Sequence, residues 1–275
     1  MNMLISRKSK RVGAEESLPV NKIFEAALKT AIEDKDLEGA RKPSRCYTPS
    51  GLNCIRNMYY KRMQTPMDKE PKSYGDVGGA DTGTRRHEAI QEVLMWMTTK
   101  HNRFLYVDVE TYVKKRQQQG RCLQLVIQGK FGAEVQLWDC QRDVKFRCDG
   151  IIYDTLEKQF YLFEFKNQIS FKAAGKHAVD KAHHCQVVTY CAELDLDAAL
   201  VTYENRDTLE LYVPEIYKVT AYDKQCLMNK IDSCENYVKH LTVPAVPQDL
   251  APGDCRYCNY RKTCKADGKE EKCNG

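Results

Sequence analysis

Val144-Lys-Phe-Arg-Cys-Asp-Gly-Ile-Ile-Tyr-Asp-Thr-Leu-Glu-Lys-Gln-Phe-Tyr-Leu-Phe-Glu-Phe-Lys166 holds two period-two patterns separated by a polar turn. In the first, Val144, Phe146 and Cys148 share one strand face, and Lys145, Arg147 and Asp149 share the other. In the second, Tyr161, Phe163 and Phe165 face a core while Glu164 and Lys166 point together to the opposite side. If residues 155–158 form a hairpin loop closed by Asp154 and Gln159, antiparallel pairing sets Asp149 directly opposite Glu164. Side chains so opposed start about 5 Å apart at Cβ.

Two carboxylates at that separation repel unless a cation lies between them. A hard divalent ion accepts both, and a backbone carbonyl such as that of Phe165 can add a further oxygen. Lys166 then sits beside the ion, placed to orient a water or to stabilise charge on a phosphate. The competing reading is a solvated strand face with Glu164–Lys166 and Arg147–Asp149 charge pairs, since surface charge alternation is common.

The 275 residues can bury a full core, and 42% hydrophobic with 29% charged residues is the composition of a soluble globular protein. No apolar run reaches the roughly 18 residues of a membrane span. The start, Met1 to Arg11, lacks the apolar centre of a secretory signal, so a cytoplasmic protein is expected. A net charge of +5 permits nucleic-acid binding through a local patch without demanding it.

Around that centre, residues 1–18 read as a basic tail and about 20–35 as a helix with Ile23, Ala27, Leu28 and Ile32 on one side. Ser50 is expected to cap a helix running to about Met63, with Cys54 in its second turn. Glycines 75, 78, 79 and 83 lead into a helix over 83–99. Strands are predicted near 104–116, 122–128, 133–139, 144–153 and 159–167, then a helix near 173–193. Strands near 198–204 and 209–216 and a helix near 221–241 complete a mixed α/β order.

Thirteen cysteines make ligation and buried thiols better readings than a disulfide framework. Cys122, Cys140, Cys148, Cys191, Cys226 and Cys234 fall in apolar patterns and read as core. Cys255-x2-Cys258-x5-Cys264 has the spacing of thiolates that hold a metal or an iron–sulphur cluster, with Cys54 as a lone upstream counterpart. A local zinc site completed by Cys273 competes with it. His183, His184 and Cys185 read as site-lining or core. Arg256, Tyr257, Tyr260, Arg261 and Lys262 mix basic and aromatic groups suited to a single strand.

These motifs together resemble the RecB-like branch of the PD-(D/E)XK nuclease superfamily. Within it the likeness is to the iron–sulphur members: CRISPR-associated iron–sulphur exonucleases, the AddB nuclease domain and exonuclease V. The resemblance runs from about Ser50 to Cys264 through Gly83-x3-His87, Asp149, Glu164-x-Lys166, Gln186-x3-Tyr190 and the one-plus-three cysteines. It departs at Phe146, where a glycine is common, and at Asn167, where a small hydroxyl residue is frequent.

The resemblance implies a restriction-endonuclease-like mixed β-sheet core flanked by helices. A helical iron–sulphur cap would join the N- and C-terminal segments. It implies that His87, Asp149, Glu164 and the Phe165 carbonyl hold Mg2+ or Mn2+, that Lys166 supports the nucleophile, and that Gln186 and Tyr190 border the site and contact DNA. Glu110 is a candidate for a further strand carboxylate. Cys54, Cys255, Cys258 and Cys264 would hold a [4Fe–4S] cluster, and closing so long a loop stabilises by on the order of 5 kcal/mol. The expected divisions are 1–45 as tail and first helix, 46–82 with 242–275 as cluster region, and 83–241 as nuclease core. The expected activity is metal-dependent DNA exonuclease on single strands or ends, with protein partners in recombination or repair and no membrane. Alternatives are a DNA-binding subunit without turnover and a zinc-stabilised interaction protein.

Overall fold

The computed structural model describes residues 19–38, 44–68, 74–100, 102–127, 135–168, 178–248, 250, 255 and 258–267. The basic tail, Arg256, Tyr257 and Cys273 lie outside them. Two compact units are present, one spanning 1–42 and 70–82 and the other 43–69 and 83–275. The first contains helix α1 (Val20–Glu38). The second holds both sheets.

Its main sheet has strands β1 (Phe104–Val107), β5 (Gly150–Asp154), β6 (Gln159–Gln168), β7 (Ala198–Asn205) and β8 (Leu211–Tyr212) side by side, with β9 (Tyr217–Lys218) also on β7. β5 and β6 form the expected hairpin, with Asp154 opposite Gln159 and Gly150 opposite Phe163. The turn closes because Asp154 Oδ1 accepts from the Leu156 and Glu157 amides at 2.9 and 3.3 Å, while Arg103 forks onto the same carboxylate. β6 then runs parallel to β7, joined through helix α5 (Lys181–Leu194), so the sheet is mixed.

β2 (Leu123–Ile127), β3 (Gln136–Asp139) and β4 (Val144–Phe146) form a separate antiparallel sheet. The single strand expected over 144–153 is therefore two. β4 pairs with β3, residues 147–149 leave the ladder, and β5 begins after Asp149. The strand expected over 104–116 also ends early. Asp108 caps helix α4 (Val109–Gln118) by accepting from the Thr111 amide at 2.9 Å, and Val109, Tyr112 and Val113 supply a helical apolar stripe. Ser50 is not a cap: Pro49–Asn53 is a 3-10 turn and Cys54 is the N-cap of helix α2 (Ile55–Arg62). Helix α3 (Tyr74–Lys100) starts ahead of the predicted point, and helices α6 (Ala221–Lys239) and α7 (Arg261–Ala266) complete the unit.

Both faces of β6 are covered. Leu162, with Ala199, Val201 and Tyr203 of β7, belongs to the larger core that includes Val187, Cys191 and Leu194 of α5. Phe163 and Phe165 join Ile152 in a smaller cluster packed by Ile90 and Leu94 of α3. The face carrying Glu164 is thus the major core face, where an open polar one was expected. Cys148, Cys191 and Cys234 are buried as predicted, but Cys226 is exposed. Cys122 and Cys140 are joined by a disulfide with Cα atoms 6.0 Å apart, because the ends of β2 and β3 bring them together. Among the described residues no helix is long and apolar enough to cross a membrane.

Candidate active site and cysteine cavity

Asp149 sits one residue before β5, at the point where the β5–β6 register carries it to Glu164. Its Oδ2 accepts from the Phe165 amide at 2.7 Å, and its Oδ1 lies 3.1 Å from His87 Nδ1. Gln91, one helical turn beyond His87, donates to the Asp149 carbonyl at 3.2 Å. The His87 ring meets Phe165 edge-on at 5.1 Å, which fixes the approach of α3 to this corner. Gly150 is needed here: a Cβ on it would lie 2.8 Å from the Tyr106 ring.

Glu164 is 2% exposed. Its Oε1 is 2.7 Å from Lys166 Nζ and accepts from Gln186 Nε2 at 2.8 Å. Lys166 Nζ also donates to Gln186 Oε1 at 2.8 Å, and Gln186 Nε2 donates to the Tyr190 hydroxyl at 2.9 Å. The six side chains expected at the site from the resemblance thus fall in two bonded groups, His87 with Asp149 and Glu164 with Lys166, Gln186 and Tyr190, and Asp149 reaches the second strand through the Phe165 amide. Tyr190 is buried, its ring against Phe146 and its hydroxyl accepting from Gln186. Glu110 is not at the site; it lies on α4 and pairs with Lys114 at 2.7 Å.

Burial raises the Glu164 carboxyl to about 7, the neighbouring Asp149 charge adding to it and Lys166 opposing. Burial opposes the charge on His87, but its bond to Asp149 and the Glu164 charge outweigh that and raise it. Burial also pushes the Tyr190 phenol well up, with Glu164 contributing. The second oxygen of Glu164 is buried with no hydrogen-bond partner among the described residues. An uncompensated carboxylate oxygen next to a second carboxylate is a donor pair of the kind a hard cation satisfies. Among the described residues no group of three or more His, Cys, Asp or Glu side chains is arranged to hold a metal ion, and Glu164 Oε1 is closed off by Lys166 and Gln186. The donor types fit Mg2+ or Mn2+, with one buried Glu164 oxygen left unbonded for it.

Beside His87 stands a charge network that the sequence reading missed. Arg86, beside His87, forks onto Glu204 with Nε at 2.8 Å and with Nη2 on the other oxygen. Asn167 Nδ2 donates to Glu204 at 2.8 Å, and Arg206 Nε donates to Asn167 Oδ1 at 2.7 Å. Asn167 is the link between these charges. The available signal was a glutamate ending the apolar run Ala198 to Tyr203, since a carboxylate in a buried strand requires a partner. His183 and His184 are held by Tyr203 and the Val179 carbonyl, apart from the carboxylates.

Cys54, Cys255, Cys258 and Cys264 line one cavity, together with Arg56 and Tyr60. Direct bonds also tie the segment after α2 to the stretch around the start of α7: the Asp68 amide to the Asn259 carbonyl at 2.6 Å and the Lys262 amide to Asp68 Oδ2 at 2.7 Å. Four sulphur side chains around one space are a donor set that fits an iron–sulphur cluster, and zinc takes thiolates as well.

No protein-family model matches this chain, and no curated protein matches it. Among solved structures it is similar to the protein described as "Crystal structure of SSO0001", at 16% identity, covering 88% of this chain and 98% of that chain with a TM-score of 0.47. That likeness identifies neither a fold family nor an activity.

Proposed function

We propose that the chain is a divalent-metal-dependent DNA nuclease, an exonuclease acting on single strands or ends, built on a restriction-endonuclease-like core. The observation that carries this is Asp149 one residue ahead of the Gly150–Phe163 pair, its Oδ2 on the Phe165 amide, with Lys166 on the Glu164 carboxylate. Asp149, Glu164, the Phe165 carbonyl and His87 would hold Mg2+ or Mn2+, which supplies charge neutralisation and a more acidic water for attack on phosphorus. Lys166 keeps an ammonium charge beside the position of the phosphate. Gln186 fixes both Lys166 and Glu164, and Tyr190 fixes Gln186. His87 and the Phe165 amide hold Asp149 in one orientation.

The four cysteines would hold a [4Fe–4S] cluster whose work is structural, clamping the segments around 54 and 255–264 as a helical cap. The test is degradation of end-labelled single- and double-stranded DNA with Mg2+ and with Mn2+. Asp149→Ala and Lys166→Ala should each lose nearly all activity while remaining folded. Undiminished cleavage by either variant removes the mechanism. DNA retention by wild type without cleavage under either metal would mark a binding subunit instead.

A further inference from the structure

Arg56 is the largest fully buried side chain of the unit, at 0% exposure, and it lines the cavity shared by the four cysteines. Only one end of its guanidinium is bonded. Nη2 donates to the Tyr60 hydroxyl at 2.7 Å and to Asp267 Oδ2 at 3.3 Å, and Tyr60 itself donates to Asp267. Nε and Nη1 are buried with no hydrogen-bond partner among the described residues. Leaving two donors of a buried cation unmet costs several kcal/mol, so they require an acceptor. Besides Arg56 and Tyr60, the polar side chains lining this space are Asn57, Arg261 and the four cysteines, so sulphur is the most abundant acceptor there.

We infer that Arg56 is a cofactor-binding residue: its Nε–H and Nη1–H donate to the sulphurs of the cysteine-bound cluster, and its charge offsets the cluster's negative charge. This rests on the iron–sulphur reading above. Four thiolates around a [4Fe–4S] core form an anion, and burying an anion requires an opposite charge with directed hydrogen bonds. A guanidinium supplies both from one rigid plane; lysine would supply the charge and lose the fork. Asp267, one-third exposed and bonded to Nη2, holds the plane in place without occupying Nε or Nη1. The same hydrogen bonds and charge favour the more negative, reduced form of a cluster.

The experiment uses the full chain purified without oxygen, with iron and sulphide measured, visible absorbance followed during exposure to a chelator, and the reduction midpoint recorded. Arg56→Gln should bleach at least tenfold faster than wild type and take up electrons at a more negative potential. Arg56→Lys should fall between, and Tyr60→Phe should stay near wild type. Circular dichroism establishes which variants are folded. If Arg56→Gln does not fold, Arg56→Lys decides: faster bleaching sustains the role, and the wild-type rate overturns it. Wild-type bleaching and potential in a folded Arg56→Gln also overturn it while leaving the cluster reading intact. Absence of iron in wild type, with zinc in its place, overturns the cluster reading itself.

Discussion

The carboxylate site and the cysteine cavity are assembled by opposite means. Asp149, Glu164 and Lys166 come from one hairpin, so a β-ladder whose turn is fixed by Asp154 sets their spacing, and only His87, Gln186 and Tyr190 arrive from helices. The cysteine cavity draws one residue from the start of α2 and three from the loop and helix near the C-terminus, joined by long-range bonds. At the carboxylates nearly every polar atom is matched and one acceptor, Glu164 Oε2, is left over. At the cysteines the excess is of donors, on Arg56. A surplus acceptor calls for a cation and a surplus donor for an anion, so the two sites make complementary demands.

The largest expected effect separates the cysteine alternatives. Cys54→Ser should abolish visible colour and bound iron, whereas Cys273→Ser should leave both; the opposite pattern, read by metal analysis, assigns a local zinc site. Next, Glu164→Gln should lower Mg2+-dependent DNA cleavage by about 10³-fold or more, because it removes a charged donor while keeping the shape. Retained turnover would detach Glu164 from the chemistry.

The same substitution has an opposite effect on stability. Folded Glu164 holds its proton up to about pH 7, whereas the unfolded side chain releases it near 4.5, so the folded state binds more protons across that window. Without metal, stability therefore falls as pH rises from about 4.5 to 7 and stays level above. Glu193, buried and raised to about 8 by burial and by Asp139, adds a fall of the same sign, so the comparison must be between wild type and Glu164→Gln. Metal-free Glu164→Gln should be more stable than wild type at pH 8 by up to roughly 3 kcal/mol, measured by denaturant titration. Added Mg2+ should close that gap. Equal stability of the two metal-free proteins would mean that Glu164 carries no buried charge.

A smaller effect tests the support behind His87. Arg86→Ala leaves the 1%-exposed Glu204 with Asn167 alone and should cost about 2–3 kcal/mol, with Arg86→Ala/Glu204→Gln recovering part of it in a double-mutant cycle. A strictly additive cycle would show that the pair does not anchor α3.

The hairpin was legible because its register depends on counting from one turn, and Asp154 and Gln159 are where the count begins. What lies over each face was not legible. Alternation distinguishes the two sides of β6 but cannot tell that α5 covers the Glu164 side, since helix-to-sheet packing is set by residues far away in sequence. The same limit explains the strand expected over 104–116: Val109, Tyr112 and Val113 fit either period until the Asp108 cap is weighed. Cys122 and Cys140 pair only because β2 and β3 align, which spacing alone does not reveal. The Arg86–Glu204–Asn167 network was partly visible, as a lone carboxylate in an apolar run, but its partner on α3 was not.

The nuclease reading requires one divalent ion shared by Asp149 and Glu164. Isothermal titration of Mn2+ into the metal-free full chain at pH 7, in two buffers of different ionisation enthalpy, tests it most directly. The expected result is a site that releases protons on binding and is lost in both Asp149→Ala and Glu164→Gln. Equal Mn2+ binding by all three proteins, or none by wild type, would contradict it.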